Sequence, residues 1–207
     1  MTASAGQPRK LLPGRLVLAS HNAGKLREFA SLLAPYGLEV VSAKELGLPE
    51  PAETGTTFLD NARIKALAAT QATGLPALAD DSGCEVAALG GAPGVYTADW
   101  ATQPDGSRDY GPAMERVWRE ANANPDRGCA FVATLVLAWP DGHTEGFEGR
   151  TEGQWTWPPR GAQGFGFDPI FVPDGETLTY AEMSMAEKAR LSHRARAFRA
   201  LAAACLG

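Results

Sequence analysis

The sequence predicts an α/β fold organised around a mixed β-sheet. Two observations carry this. Short apolar runs alternate with segments of helical periodicity along most of the chain. Between them lies a pair of strand-like stretches joined at Asp141-Gly142, a strong antiparallel hairpin signal.

The elements follow in order. RLVLAS (15–20) reads as a buried strand. GKLREFASLLAPYG (24–37) follows at once, with Leu26, Phe29, Ala30 and Leu33 at helical spacing and Pro35 with Gly37 as the stop. LEVVSA (38–43) is a second strand. PAETGTTFLDNARIKALAATQATG (51–74) reads as a loop and then a helix. Thr57 with Asp60 three residues on resembles a capping box, and Gly74 closes the helix. LPALADD (75–81) is a strand that ends in its two aspartates, and a helix is expected over 113–122. CAFVATLVLAWPDG (129–142) and HTEGFEGRTEGQWT (143–156) form the hairpin. GFGFDPIFVPDG (164–175) is an aromatic, Gly-rich loop entering a short strand, and 184–207 reads as a final helical region. Residues 1–14 read as a short mobile tail, and 15–207 as one domain.

Bulk properties narrow the class. The chain has 207 residues, 44% hydrophobic and 21% charged, as expected of a soluble globular protein able to bury a core without disulfides. Its three cysteines are far apart and form no CxxC pair, which argues against a zinc site and fits a reducing cytoplasm. A net charge of −5 argues against nucleic-acid binding. No apolar run approaches the roughly 18 residues a membrane span needs.

Four clusters carry candidate chemistry. Ser20, His21, Asn22, Ala23, Gly24 and Lys25 (SHNAGK) occupy a strand-to-helix junction, where free amides and the dipole suit a phosphate; an ordinary turn explains the same residues equally well. The second cluster sets Glu53 in a loop before a helix on which Asn61 and Lys65 share a face. Asp80 and Asp81 are neighbours on a strand, so they point to opposite faces and need not do the same job. One can bind a metal or activate water while the other supports it. The last cluster is split: Phe165, Gly166, Phe167 and Asp168 offer rings for stacking and an acceptor, and Lys188, Ser192, His193 and Arg194 add donors. Together the inventory fits a nucleoside triphosphate with Mg²⁺.

On these residues the chain resembles the inosine triphosphate pyrophosphatase family. The likeness runs from about Leu16 to Leu201 through SHNAGK, ETGTTFLDNARIKA, ADDSG, LGGAPGVYTA, GFGFDPIF and EKARLSHR. The resemblance implies hydrolysis of a non-canonical purine nucleoside triphosphate (ITP, dITP or XTP) to the monophosphate and pyrophosphate. It also implies a homodimer, a long mixed sheet flanked by helices, and two lobes around a central substrate cleft. By matching position, Ser20 to Lys25 and Ser82 would touch substrate, Glu53 and Asp81 would hold Mg²⁺, and Asp81 would accept a proton from water. Asp80 would support Asp81, Lys65 would neutralise phosphate charge, and Phe165 to Asp168 with Lys188, His193 and Arg194 would form the base pocket. The sequence departs from the family at Ser20-His21, at Asp60 and at Phe167. Two other readings stand beside this one: a Maf-like pyrophosphatase for pyrimidine or modified nucleotides, and a nucleotide-binding regulator without catalysis.

Overall fold

The computed structural model describes residues 7–206. One mixed six-stranded sheet runs through it in the order β2-β1-β3-β4-β5-β6. The strands are β1 (Arg15–Leu18), β2 (Glu39–Ser42), β3 (Ala77–Val86), β4 (Gly128–Ala138), β5 (Thr144–Trp155) and β6 (Phe171–Pro173). β1 pairs in parallel with β2 and β3, and every later pairing is antiparallel. The helices are α1 (Ala23–Leu33), α2 (Phe58–Thr73), α3 (Tyr110–Ala121), α4 (Met185–Leu191) and α5 (His193–Cys205).

Side-chain alternation assigns each helix to a face. Leu16, Leu18, Leu78, Leu135 and Leu137 pack with Phe29 and Leu33 of α1 and with Phe198 and Leu201 of α5. Their neighbours Val17, Ala19, Ala77, Ala79, Val136 and Ala138 point the other way, onto Ala62, Ala66 and Ala69 of α2. With both faces covered, the strands read as continuous apolar runs. A separate cluster gathers Val86, Met114, Val117, Phe131, Trp155, Phe171 and Tyr180 around α3 and β6. This second lobe leaves a cleft between itself and the helices packed on β1.

Four expectations are corrected. First, β3 does not end at the aspartates. Its parallel pairing with β1 stops at Leu78, but its antiparallel ladder with β4 continues to Val86, opposite Cys129. Asp80 and Asp81 therefore sit mid-strand, where β1 has run out. Second, the final helical region is two helices. Ser192 closes α4 and caps α5, its side chain accepting from the Ala195 amide at 3.2 Å. Third, α3 begins three residues before the expected start, because Gly111 and Pro112 fall in its first turn, where proline costs nothing. Fourth, of the expected tail, residues 1–6 lie outside the described residues. The stretch 7–14 is irregular but tied down: Arg9 pairs with Asp141 at 2.6 Å, and the Leu11 amide donates to the Cys205 carbonyl at 2.8 Å.

The start of α5 lies directly on β5 at Gly149. A Cβ there would collide with the His193 carbonyl and the Ala197 amide, which are backbone atoms with no easy retreat. Gly149→Ala is expected to cost about 2–3 kcal/mol, comparable to other overpacked core sites, and to lower the midpoint of thermal unfolding measured by circular dichroism.

Candidate active site

The alternation that sorts the core also sorts the acids. Asp80 shares the face of Leu78 and meets α1 and α5, whereas Asp81 shares the face of Ala79 and meets α2. Asp80 is buried. Its Oδ1 pairs with Lys25, its Oδ2 accepts from Arg194 Nε at 3.0 Å, and the Ser82 hydroxyl donates to it at 3.1 Å. Burial alone would push its carboxyl up, but Arg194 and Lys25 outweigh burial and hold it far below the usual range.

Asp81 differs. Lys65 Nζ donates to its Oδ1 at 3.0 Å and to Glu53 Oε1 at 2.6 Å, so two carboxylates from separate segments share one ammonium. The Glu53 loop is held by the Asn61 carboxamide, which accepts from the Gly55 amide at 2.8 Å. Asp81 Oδ2 is buried without a partner. Burial pushes the Asp81 carboxyl above its usual range, and Lys65 and Lys25 offset this only in part. Burial also pulls the Lys65 ammonium down, but Asp81 and Glu53 outweigh it and the net shift is upward.

The base end of the cleft is a second network. Lys188 donates to Asp168 at 2.6 Å and pairs with Glu28 at 3.3 Å, and its ammonium lies 4.9 Å from the centre of the Phe165 ring. Asp168 also accepts from the Phe165 amide at 2.8 Å. Burial raises the Asp168 carboxyl despite Lys188. Arg194 spans both networks, donating to Asp80, to Glu28 at 2.5 Å and to Ser82 at 3.0 Å. Glu28 was not anticipated. Its position three residues after Lys25, hence on the same helix face, was the available signal. Across both networks Lys25, Lys65, Lys188 and Arg194 face Glu28, Glu53, Asp80, Asp81 and Asp168, one more acid than base.

Most of the expected residues line one cleft of about 890 Å³: Ser20, Asn22, Lys25, Glu53, Lys65, Asp80, Asp81, Ser82, Phe165 to Asp168, Lys188, His193 and Arg194. His21 turns away, its ring bonded to the Leu48 carbonyl at 2.9 Å, and Ala23 and Gly24 at the start of α1 lie outside the lining. The amides expected to be free at α1 are capped, since Asn22 Oδ1 accepts from Gly24 and Lys25 at 2.8 and 3.1 Å. Phe167 is buried against Tyr110, ring centres 5.6 Å apart, which leaves Phe165 as the ring open to a ligand. His193 is buried edge-on to Phe131, and burial keeps it well below the usual imidazole range, hence neutral.

The residues fit a divalent cation of the Mg²⁺ type. Glu53 and Asp81 converge, and the orphaned Asp81 oxygen lacks the partner a buried carboxylate requires. Among the described residues no cluster of three or more acidic, histidine or cysteine side chains forms. Mg²⁺ does not require one, because it commonly takes one or two carboxylates and completes its shell with phosphate and water.

These features define an α/β protein whose cleft is organised for a polyanion at one end and a planar group at the other. Residues 16–204 match the family model described as "Ham1 family", and the chain belongs to that family. It is 59% identical over 199 residues to the dITP/XTP pyrophosphatase of Gluconobacter oxydans, covering 96% of this chain and 94% of that one. The dITP/XTP pyrophosphatase of Zymomonas mobilis is 54% identical over 208 residues, covering 99% and 98%. Among solved structures, a HAM1 protein from Coxiella burnetii superposes with a TM-score of 0.83 at 37% identity, covering 91% of this chain and 96% of that one.

Replacing Asp80 by Asn leaves Arg194 and Lys25 buried beside a neutral group. The variant is expected to lose about 3 kcal/mol or more of folding stability at neutral pH, read by urea denaturation.

Proposed function

We infer that the chain hydrolyses non-canonical purine nucleoside triphosphates, dITP, ITP and XTP among them, to the monophosphate and pyrophosphate. The names of its relatives and the layout of its cleft support this. One observation carries the reading: a buried carboxylate with an unpartnered oxygen shares a lysine with a second carboxylate, beside a lysine from the phosphate-side helix. A regulator without catalysis is disfavoured by the names of the relatives. A pyrimidine-directed Maf-like enzyme is disfavoured by the relatives.

The residues act as follows. Glu53 and Asp81 would hold Mg²⁺, which would supply positive charge and Lewis-acid polarisation to the phosphates. Lys25 and Lys65 supply positive charge to the phosphates. Asp81, whose Oδ2 has no other partner, takes the proton of the attacking water, while Asp80 fixes the strand beside it. At the base end Phe165 stacks on the purine and Asp168 accepts from ring N–H groups. Arg194 commits three of its five N–H donors to Asp80, Glu28 and Ser82, which leaves two for a ligand. The amides of His193 and Arg194, in the first turn of α5, would be the backbone donors for a 6-oxo group. An adenine 6-amino group offers them no acceptor.

We take residues 15–207 to act as one domain, in a homodimer as the resemblance implies. A cytoplasmic setting is supported by Cys84, Cys129 and Cys205, all free and buried. Among the described residues no helix is long and apolar enough to cross a membrane.

Pyrophosphate release with Mg²⁺ across a nucleotide panel tests the reading. dITP and XTP are expected to exceed ATP in kcat/KM by at least about 10²-fold, and equal values would defeat the pocket assignment. Asp81→Asn is expected to abolish turnover with the fold retained; near-normal activity would remove Asp81 as the base. Because the base must be deprotonated to act, wild-type activity with Mg²⁺ is expected to fall on acidification, read as a pH profile of kcat/KM.

A further inference from the structure

We propose that Arg108 is a further catalytic residue, which grips the terminal phosphates of the bound nucleotide and stabilises the departing pyrophosphate. The proposal rests on the pyrophosphatase reading above. Nothing in the local sequence marks this arginine, which lies in an exposed stretch, ATQPDGSRDYG, between two lobe elements. The fold brings it to the cleft.

Its placement is specific. Arg108 lines the central cleft and also an adjoining groove that contains Glu53, Gly55, Asn61 and Tyr96. That groove holds the proposed metal ligand Glu53 and the loop leading into α2. None of Phe165, Asp168, Lys188 or Arg194 borders it. Arg108 therefore stands where the nucleotide's phosphate tail leaves the cleft, on the lobe opposite Lys25 and Lys65.

Its charge is uncommitted. The four cations already described in the cleft are each bound to one or more carboxylates, and together they are outnumbered by them. Such a network balances itself and leaves little positive charge for a triphosphate. Among the described residues the Arg108 guanidinium forms no ion pair, although Glu50, Glu53 and Asp99 border the same groove. A ligand phosphate would meet a cation with no partner to give up.

Its backbone is braced and its side chain is exposed. The backbone at Arg108 bridges Thr102, the Gln103 amide donates to the Ser107 carbonyl at 2.8 Å, and the Asp109 amide donates to the Ala101 carbonyl at 2.8 Å. Asp109 then caps α3, and Tyr110 rests on Phe167. The exposed arginine thus projects from a short braced hairpin, the arrangement in which a long fork-shaped cation reaches a ligand without disturbing the fold.

The chemistry needs such a group. Water oxygen forms a bond to the α-phosphorus while the bond from that phosphorus to the α–β bridging oxygen breaks. The bonding pair leaves with the pyrophosphate, and the proton of the water passes to Asp81. Negative charge grows on the leaving pyrophosphate, where a guanidinium can donate two parallel hydrogen bonds to its oxygens.

The test uses the full chain with dITP and Mg²⁺, comparing wild type with Arg108→Ala, Arg108→Gln and Arg108→Lys. Loss of this donor is expected to lower kcat/KM roughly 10²-fold in the Ala and Gln variants, with partial recovery in Lys. Product inhibition by inorganic pyrophosphate is expected to weaken about tenfold, with inhibition by dIMP unchanged and the thermal midpoint preserved. Wild-type kcat/KM in Arg108→Ala overturns the proposal. So does an equal weakening of dIMP and pyrophosphate inhibition, which would place the arginine at the nucleoside. A wild-type enzyme that releases no pyrophosphate from dITP defeats the parent reading and the arginine's role with it. Active wild type matched by its Ala variant defeats the arginine alone.

Discussion

Asp80 has no exposed side-chain surface, yet it accepts from a lysine at the start of α1 and an arginine at the start of α5. Desolvating such a carboxylate is costly, and only the two cations make it tolerable. The reverse also holds, because burial of Arg194 depends on Asp80 and Glu28. The two helix starts that border the cleft are thereby fastened to one point on β3. Positions on which ligand contacts depend inherit their precision from an ion cluster that is not itself free to react.

The neighbouring residue is released from that duty by the pleat. A strand sends residue 80 to the α1 and α5 face and residue 81 to the α2 face, so each acid has its own ion-pair partners and Lys25 acts on Asp81 only through space. Asp81 has only a shared lysine, keeps one oxygen unsatisfied and is shifted toward protonation. One dipeptide thus supplies an ion-paired anchor held toward ionisation and a carboxylate with an open oxygen. The division works because β1 stops before this point, which opens the sheet edge toward the cleft.

Much of this was legible from the chain alone. Helix caps, the Asp141-Gly142 hairpin and the motif-bearing junctions appear in the structure as the residues dictate. What failed had long-range causes. Two aspartates look like a strand terminus because local composition cannot show the ladder to β4 that carries the strand past them. Ser192 looks like a helix interior, since no glycine or proline marks the break, yet its one hydroxyl restarts the next helix. The SHNAGK amides looked available until the Asn22 side chain turned back on them. Phe167 looked like a ligand-facing ring, and only packing against Tyr110 shows it facing inward. Glu28 and the disposition of Arg194 depend on helices meeting across the sheet, which no window of sequence reports.

A Cβ on Gly24 would lie 2.5 Å from a carbon of the Phe165 ring, so the helix that begins the phosphate side touches the aromatic that ends the base side. Under the proposed function, recognition of the two halves of a nucleotide would therefore be mechanically joined. A bulkier ring at position 165, introduced to widen the range of accepted bases, would displace the turn carrying Lys25. Remodelling of selectivity in this scaffold must proceed through paired changes, because its two ends have no slack between them.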